Sequence, residues 1–72
     1  MKMVTITTEY IKLQDLLKLA EAVATGGEAK IRVQEGEVLV NGEVCTQRGR
    51  KIRPDDTVDY HGLLLGVRYA DQ

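Results

Sequence analysis

Apolar residues recur along this chain with two different periods, and the changes of period mark its elements. Residues 2–7 set Met3, Thr5 and Thr7 against Lys2, Val4 and Ile6, the alternation of a short strand. From Leu13 the spacing lengthens, and Leu13, Leu16, Leu17, Ala20, Val23 and Ala24 recur at three and four residues. They predict one apolar helix face, with Gln14, Asp15, Lys18 and Glu21 opposite and Gly26-Gly27 as its end.

The next segment carries conflicting signals. Ala29 to Gln34 alternates apolar and polar residues, as a strand does. Thr25-Gly-Gly-Glu28, however, has the spacing of a capping box, in which Thr25 takes the amide of Glu28 and Glu28 returns to the amide of Thr25. Gly36 stands where a helix C-cap glycine would. The residues alone support both readings equally. Glu37 to Thr46, broken by Asn41-Gly42, predicts a β-hairpin with a type I′ turn. Arg48 to Asp56 reads as a polar loop closed by Pro54-Asp55-Asp56. Thr57–Tyr60 and Leu63–Tyr69 complete the strands. The sum is an α+β fold: two short helices on a small, mostly antiparallel sheet with an added N-terminal strand.

Length confines this to one domain, residues 1–72, with one modest core. That core has to be aliphatic, because Phe and Trp are absent and Tyr10, Tyr60 and Tyr69 are the only aromatics. No apolar run reaches the roughly 20 residues that cross a bilayer, and the first residues lack the pattern of a signal peptide. With one cysteine, the expected location is a reducing cytoplasm.

Charge adds the sharpest feature. Arg48, Arg50, Lys51 and Arg53 place four positive charges in six residues. The remaining six basic residues face all eleven acidic ones, so the rest of the chain carries −5 although the whole carries −1. An anionic partner is suggested by the local field, not by net charge. Spacing alone favours a solvated loop whose cations pair with Asp55, Asp56 or Asp59. The functional alternative is a phosphate clamp, with Gly49 keeping the loop adaptable. Cys45 reads as a packing residue, His61 as a turn residue, and Tyr60 and Tyr69 as parts of the core. One His and one Cys cannot close a zinc site, and no phosphate-binding glycine loop or catalytic triad is present. Neither an enzyme nor a cofactor or metal is expected.

A helix, a glycine break, Ala29-Lys30 and then Gly36-x-Val-x-Val-Asn-Gly resemble the alpha-L, or S4-type, RNA-binding domain. Ile52-Arg53-Pro54-Asp55-Asp56-Thr57-Val58 is similar to that family's closing run. The resemblance is densest from Leu13 to Tyr60. Short stand-alone bacterial members of the YaaA/YbcJ type are more similar still, through the N-terminal strand, Leu16 to Leu19 and Arg48-Gly49-Arg50-Lys51. The resemblance implies a second helix at the ambiguous segment and reverses the preference at the basic cluster. It implies a groove gripping structured RNA, such as rRNA or tRNA, free or in ribosomal particles. By position, Lys30 matches the basic residue of the second helix, Arg48, Arg50 and Lys51 the basic loop, and Arg53 the residue before the closing turn. Lys18 is a further candidate. Gly26 stands where many members have arginine, and Asp55 where glycine is usual. The competing reading is a protein-interaction module without RNA, including a degenerate β-grasp carrier. Such a carrier needs a C-terminal Gly-Gly, whereas the sequence ends Tyr-Ala-Asp-Gln.

Overall fold

The computed structural model describes residues 1–70. Over them the chain runs β1 (Lys2–Ile6), β2 (Ile11–Lys12), α1 (Leu13–Leu19), α2 (Gly26–Gln34), β3 (Val38–Val40), β4 (Glu43–Val44), β5 (Lys51–Ile52), β6 (Thr57–Tyr60) and β7 (Leu63–Tyr69). Asp71 and Gln72, standing where a carrier would have its Gly-Gly, lie outside the described residues.

The segment with conflicting signals is helix α2, and its two ends explain the outcome. Thr25 Oγ accepts from the Glu28 amide at 3.1 Å, while the Glu28 carboxylate accepts from the Ala24 amide at 2.8 Å. The exchange is a capping box displaced by one residue from the Thr25 amide expected. At the other end Gly36 has φ +77°, its amide bonds to the Val33 carbonyl, and the Glu37 amide bonds to the Arg32 carbonyl. That pair of bonds is a Schellman closure. Between the caps, Ala29 and Val33 lie one turn apart and are both buried.

Helix α1 is shorter than its apolar spacing predicts. It stops at Leu19 because Glu21 turns left-handed, at φ 59°. The Glu21 amide bonds to the Lys18 carbonyl and the Ala22 amide to that of Leu17, the same closure without glycine. Ala20 and Val23 remain buried after the helix has ended; Ala24 is exposed. Continued packing in the turn prolongs the helical spacing. Gly26 and Gly27 begin α2 instead of ending α1.

The main sheet has the order β1-β7-β6-β3-β4. β1 runs parallel to β7, pairing Lys2 with Leu65 through Ile6 with Tyr69, and the other pairs are antiparallel. Asn41-Gly42 has φ 52° and 85°, His61-Gly62 has 51° and 87°, so each joins its strands through a type I′ turn. Val4, Ile6, Val38, Val40, Val58, Leu65 and Val67 form one aliphatic core with Leu13, Leu16, Leu17, Ala29 and Val33. Cys45 is buried in it and Tyr60 packs at its edge, as expected of both. Tyr69 corrects the expectation, being 50% exposed. It ends β7 beyond the buried run from Leu65 to Val67.

A second, two-stranded ladder pairs β2 with β5 in antiparallel register, Ile11 opposite Ile52 and Lys12 opposite Lys51. The stretch read as a polar loop therefore contains a strand, and Ile52 is fully buried.

Candidate nucleic-acid interface

The basic segment is fixed first by its main chain. Helix α1 has no side-chain N-cap, so its first amides need other acceptors. They find them in this segment: the Leu13 amide bonds to the Arg50 carbonyl at 2.8 Å, and the Gln14 amide to the Arg48 carbonyl at 3.0 Å. The β2–β5 ladder and buried Ile52 hold the next residues. At the far end, Asp56 accepts from the Arg53 amide at 2.8 Å and from the Asn41 side-chain amide at 2.9 Å. The Asn41 side-chain oxygen in turn accepts from the Thr57 amide at 2.9 Å. The hairpin turn and the Pro54-Asp55-Asp56 turn are thus tied across their tips. Burial pushes the Asp56 carboxyl up, but the Arg53 amide, the Asn41 side chain and the Arg50 and Arg53 charges outweigh it and hold it below its ordinary 3.8.

With the main chain held, the side chains have no acidic partners among the described residues. Arg48, Arg50, Lys51 and Arg53 are all exposed, and among the described residues none forms an ion pair; the pairs found there belong to Arg32 and His61. Asp56 and Asp59 are engaged with the Arg53, Asn41 and Gly62 amides instead. The pairing with Asp55, Asp56 or Asp59 that spacing alone favours is absent among the described residues.

The two helical candidates lie elsewhere. Lys18 is exposed near the end of α1, and its Nζ is 3.9 Å from where a Cβ on Gly26 would stand. Lys30 is four residues beyond Gly26, hence one turn along the same face of α2, and is also exposed. Gln14 and Lys18 occupy neighbouring positions on α1, so the polar face of that helix runs from the Arg48 carbonyl toward Lys18. Its backbone rise between Leu13 and Lys18 is roughly 7.5 Å. The arrangement has two groups of cations joined by one helix face.

Two residues were missed in the sequence. Lys12 stands directly opposite Lys51 in the ladder, a like-charge pairing that is destabilising by itself. The Tyr10 ring centroid lies 4.9 Å from Lys51 Nζ and 5.9 Å from Arg53 Cζ, within the range of cation–π attraction. The available signal was the inverse match of Ile11-Lys12 with Lys51-Ile52, too short to stand out. Among the described residues no group of His, Cys, Asp and Glu is placed to hold a metal, and no helix is long and apolar enough to cross a membrane.

Comparison with known proteins agrees with this architecture. Residues 4–67 match the family model of the S4 domain. "Probable ribosome maturation protein RlbA" of Bacillus subtilis (strain 168) is 46% identical over 60 residues, covering 83% of this chain and 84% of that protein. "Putative RNA-binding protein YbcJ" of Escherichia coli (strain K12) is 42% identical over 58 residues, covering 81% and 83% respectively. The solution structure of YbcJ from E. coli, described as revealing an alpha-L motif involved in RNA binding, matches with a TM-score of 0.72 at 35% identity. It covers 94% of this chain and 87% of that one. Two helices on a mixed sheet, the Asn-Gly hairpin and the basic segment behind it are the features of a protein that belongs to the S4 domain family of RNA-binding proteins, among its small YbcJ-like members.

Proposed function

We infer that this protein grips structured RNA, rRNA or tRNA, through its backbone phosphates. The carrying observation is that four exposed cations lack ion-pair partners among the described residues while their main chain is held at both ends. An anion entering there breaks no ion pair found among the described residues and orders little backbone. Arg48, Arg50, Lys51 and Arg53 form one set of phosphate contacts, and Lys18 and Lys30 extend it along the helices. A-form RNA hides its bases in a deep groove, so backbone and shape dominate recognition. The protein acts by binding, without catalysis, metal or cofactor. The name of the Bacillus subtilis relative directs attention to ribosomal RNA and ribosomal particles in the cytoplasm.

With about three to five phosphate contacts, the log–log salt slope of binding is expected on the order of −2 to −4. Changing Arg48, Arg50 and Lys51 together to Gln keeps the carbonyls that cap α1, so the thermal midpoint should hold. Affinity for an rRNA helix junction should largely disappear and the slope flatten. Undiminished binding by this folded variant would overturn the reading.

A further inference from the structure

Beside the basic segment lies an open cleft of about 330 Å³, lined by Thr8, Tyr10, Ile11, Lys12 and Asp15. Its volume is at the low end of small-molecule sites, suited to one nucleoside and too small for a duplex. Its walls divide by chemistry. Tyr10 supplies an aromatic ring, and Lys12, with Lys51 across the ladder, supplies positive charge. Asp15, half-buried in the first turn of α1, supplies a carboxylate with no ion pair or side-chain hydrogen bond among the described residues. An ionised carboxylate only accepts hydrogen bonds. It repels a phosphate and attracts N–H groups.

We propose that this cleft receives one unpaired nucleotide of the bound RNA. The base stacks on Tyr10, its phosphate lies against Lys12 and Lys51, and Asp15 accepts from N–H groups on the base edge. The two signs of charge in the lining orient the nucleotide, with its phosphate drawn to the lysines and its base edge to the carboxylate. Guanine is the best match, because its ring N–H and exocyclic amino group lie side by side, as the two carboxylate oxygens do. The assignment rests on the RNA-binding reading above and adds a preference for unpaired bases that phosphate contacts alone do not give.

The test uses the full chain and two RNA hairpins differing in one bulged guanosine, with a bulged-uridine hairpin as a third probe and binding read by fluorescence anisotropy. The wild type is expected to favour the bulged RNA. Tyr10→Phe, which keeps the ring, should retain that preference. Tyr10→Ala should weaken bulged-RNA binding by roughly 5- to 150-fold more than binding of the fully paired hairpin, the range of one lost base stack. Asp15→Asn should reduce the advantage of bulged guanosine over bulged uridine. Equal weakening of both hairpins by Tyr10→Ala would show that Tyr10 only positions Lys51 and Arg53 and would overturn the proposal. A wild type that binds both hairpins equally overturns it too, leaving the phosphate-grip reading intact. A wild type that binds neither removes that reading as well.

Discussion

Asn41 does two jobs with one side chain. Its left-handed backbone makes the hairpin turn, and its amide joins that turn to Asp56 and Thr57. Asn41→Gly keeps the turn geometry and deletes the bonds, so a loss of about 1–2 kcal/mol is expected in urea unfolding, at about 1 kcal/mol per bond. Asn41→Ala should lose roughly 1 kcal/mol more, because a Cβ is disfavoured at that φ. The turn was legible from Asn-Gly; the bond to a residue fifteen positions on was not, since local pattern says nothing of which tips meet. Glu37 presents a comparable case. Its carboxyl lies below its ordinary 4.5, first through the His61 bond at 2.6 Å, then, against burial, through Arg32 at 3.3 Å. A lowered carboxyl stabilises the fold fully above its unfolded value, and the contribution is lost as pH falls through its native one. Removing the largest cause with His61→Ala should move the Glu37 titration, followed by NMR, up toward 4.5. The stability difference between neutral and acid solution should shrink with it.

Elements were legible where punctuation and period agreed. The Asn-Gly hairpin and the strands of β6 and β7 needed nothing more than local pattern. At α2 the two disagreed, and the caps decided, because a short helix depends on its ends. The end of α1 went unread since Glu21, not glycine, takes the left-handed position, and buried Val23 keeps the helical spacing past it. The β2–β5 ladder escaped because two residues cannot display an alternation. That ladder carries an experiment of its own. Lys12→Glu would turn a like-charge cross-strand pair into an opposite one and put an acid beside the start of α1. The unfolding midpoint should rise, by about 0.2–1 kcal/mol for such a pair, while RNA affinity falls in anisotropy titrations. A change that improves folding and harms binding would mark the lysine pair as kept for an anion.

At the scale of the molecule, positive charge is gathered into one segment and the rest is acidic. Helices on one sheet were expected, but the strand order was not, because β1 pairs with β7 from the far end of the chain and period cannot report such a partner. Of the proposed interface, the cations were visible as a run, whereas Tyr10 and Lys12 join them only through folding. Binding and stability are linked in such a site. RNA at about a hundred times its Kd should add roughly 2.7 kcal/mol to unfolding, seen as a higher thermal midpoint. The two carbonyls that close the start of α1 have a wider consequence. They belong to Arg48 and Arg50, so on the proposed reading the same residues serve folding through their main chain and RNA recognition through their side chains. Those duties would be separable: new side chains at 48 and 50 are expected to retune what the protein holds, whereas a deletion between them should remove the acceptors at the start of a helix.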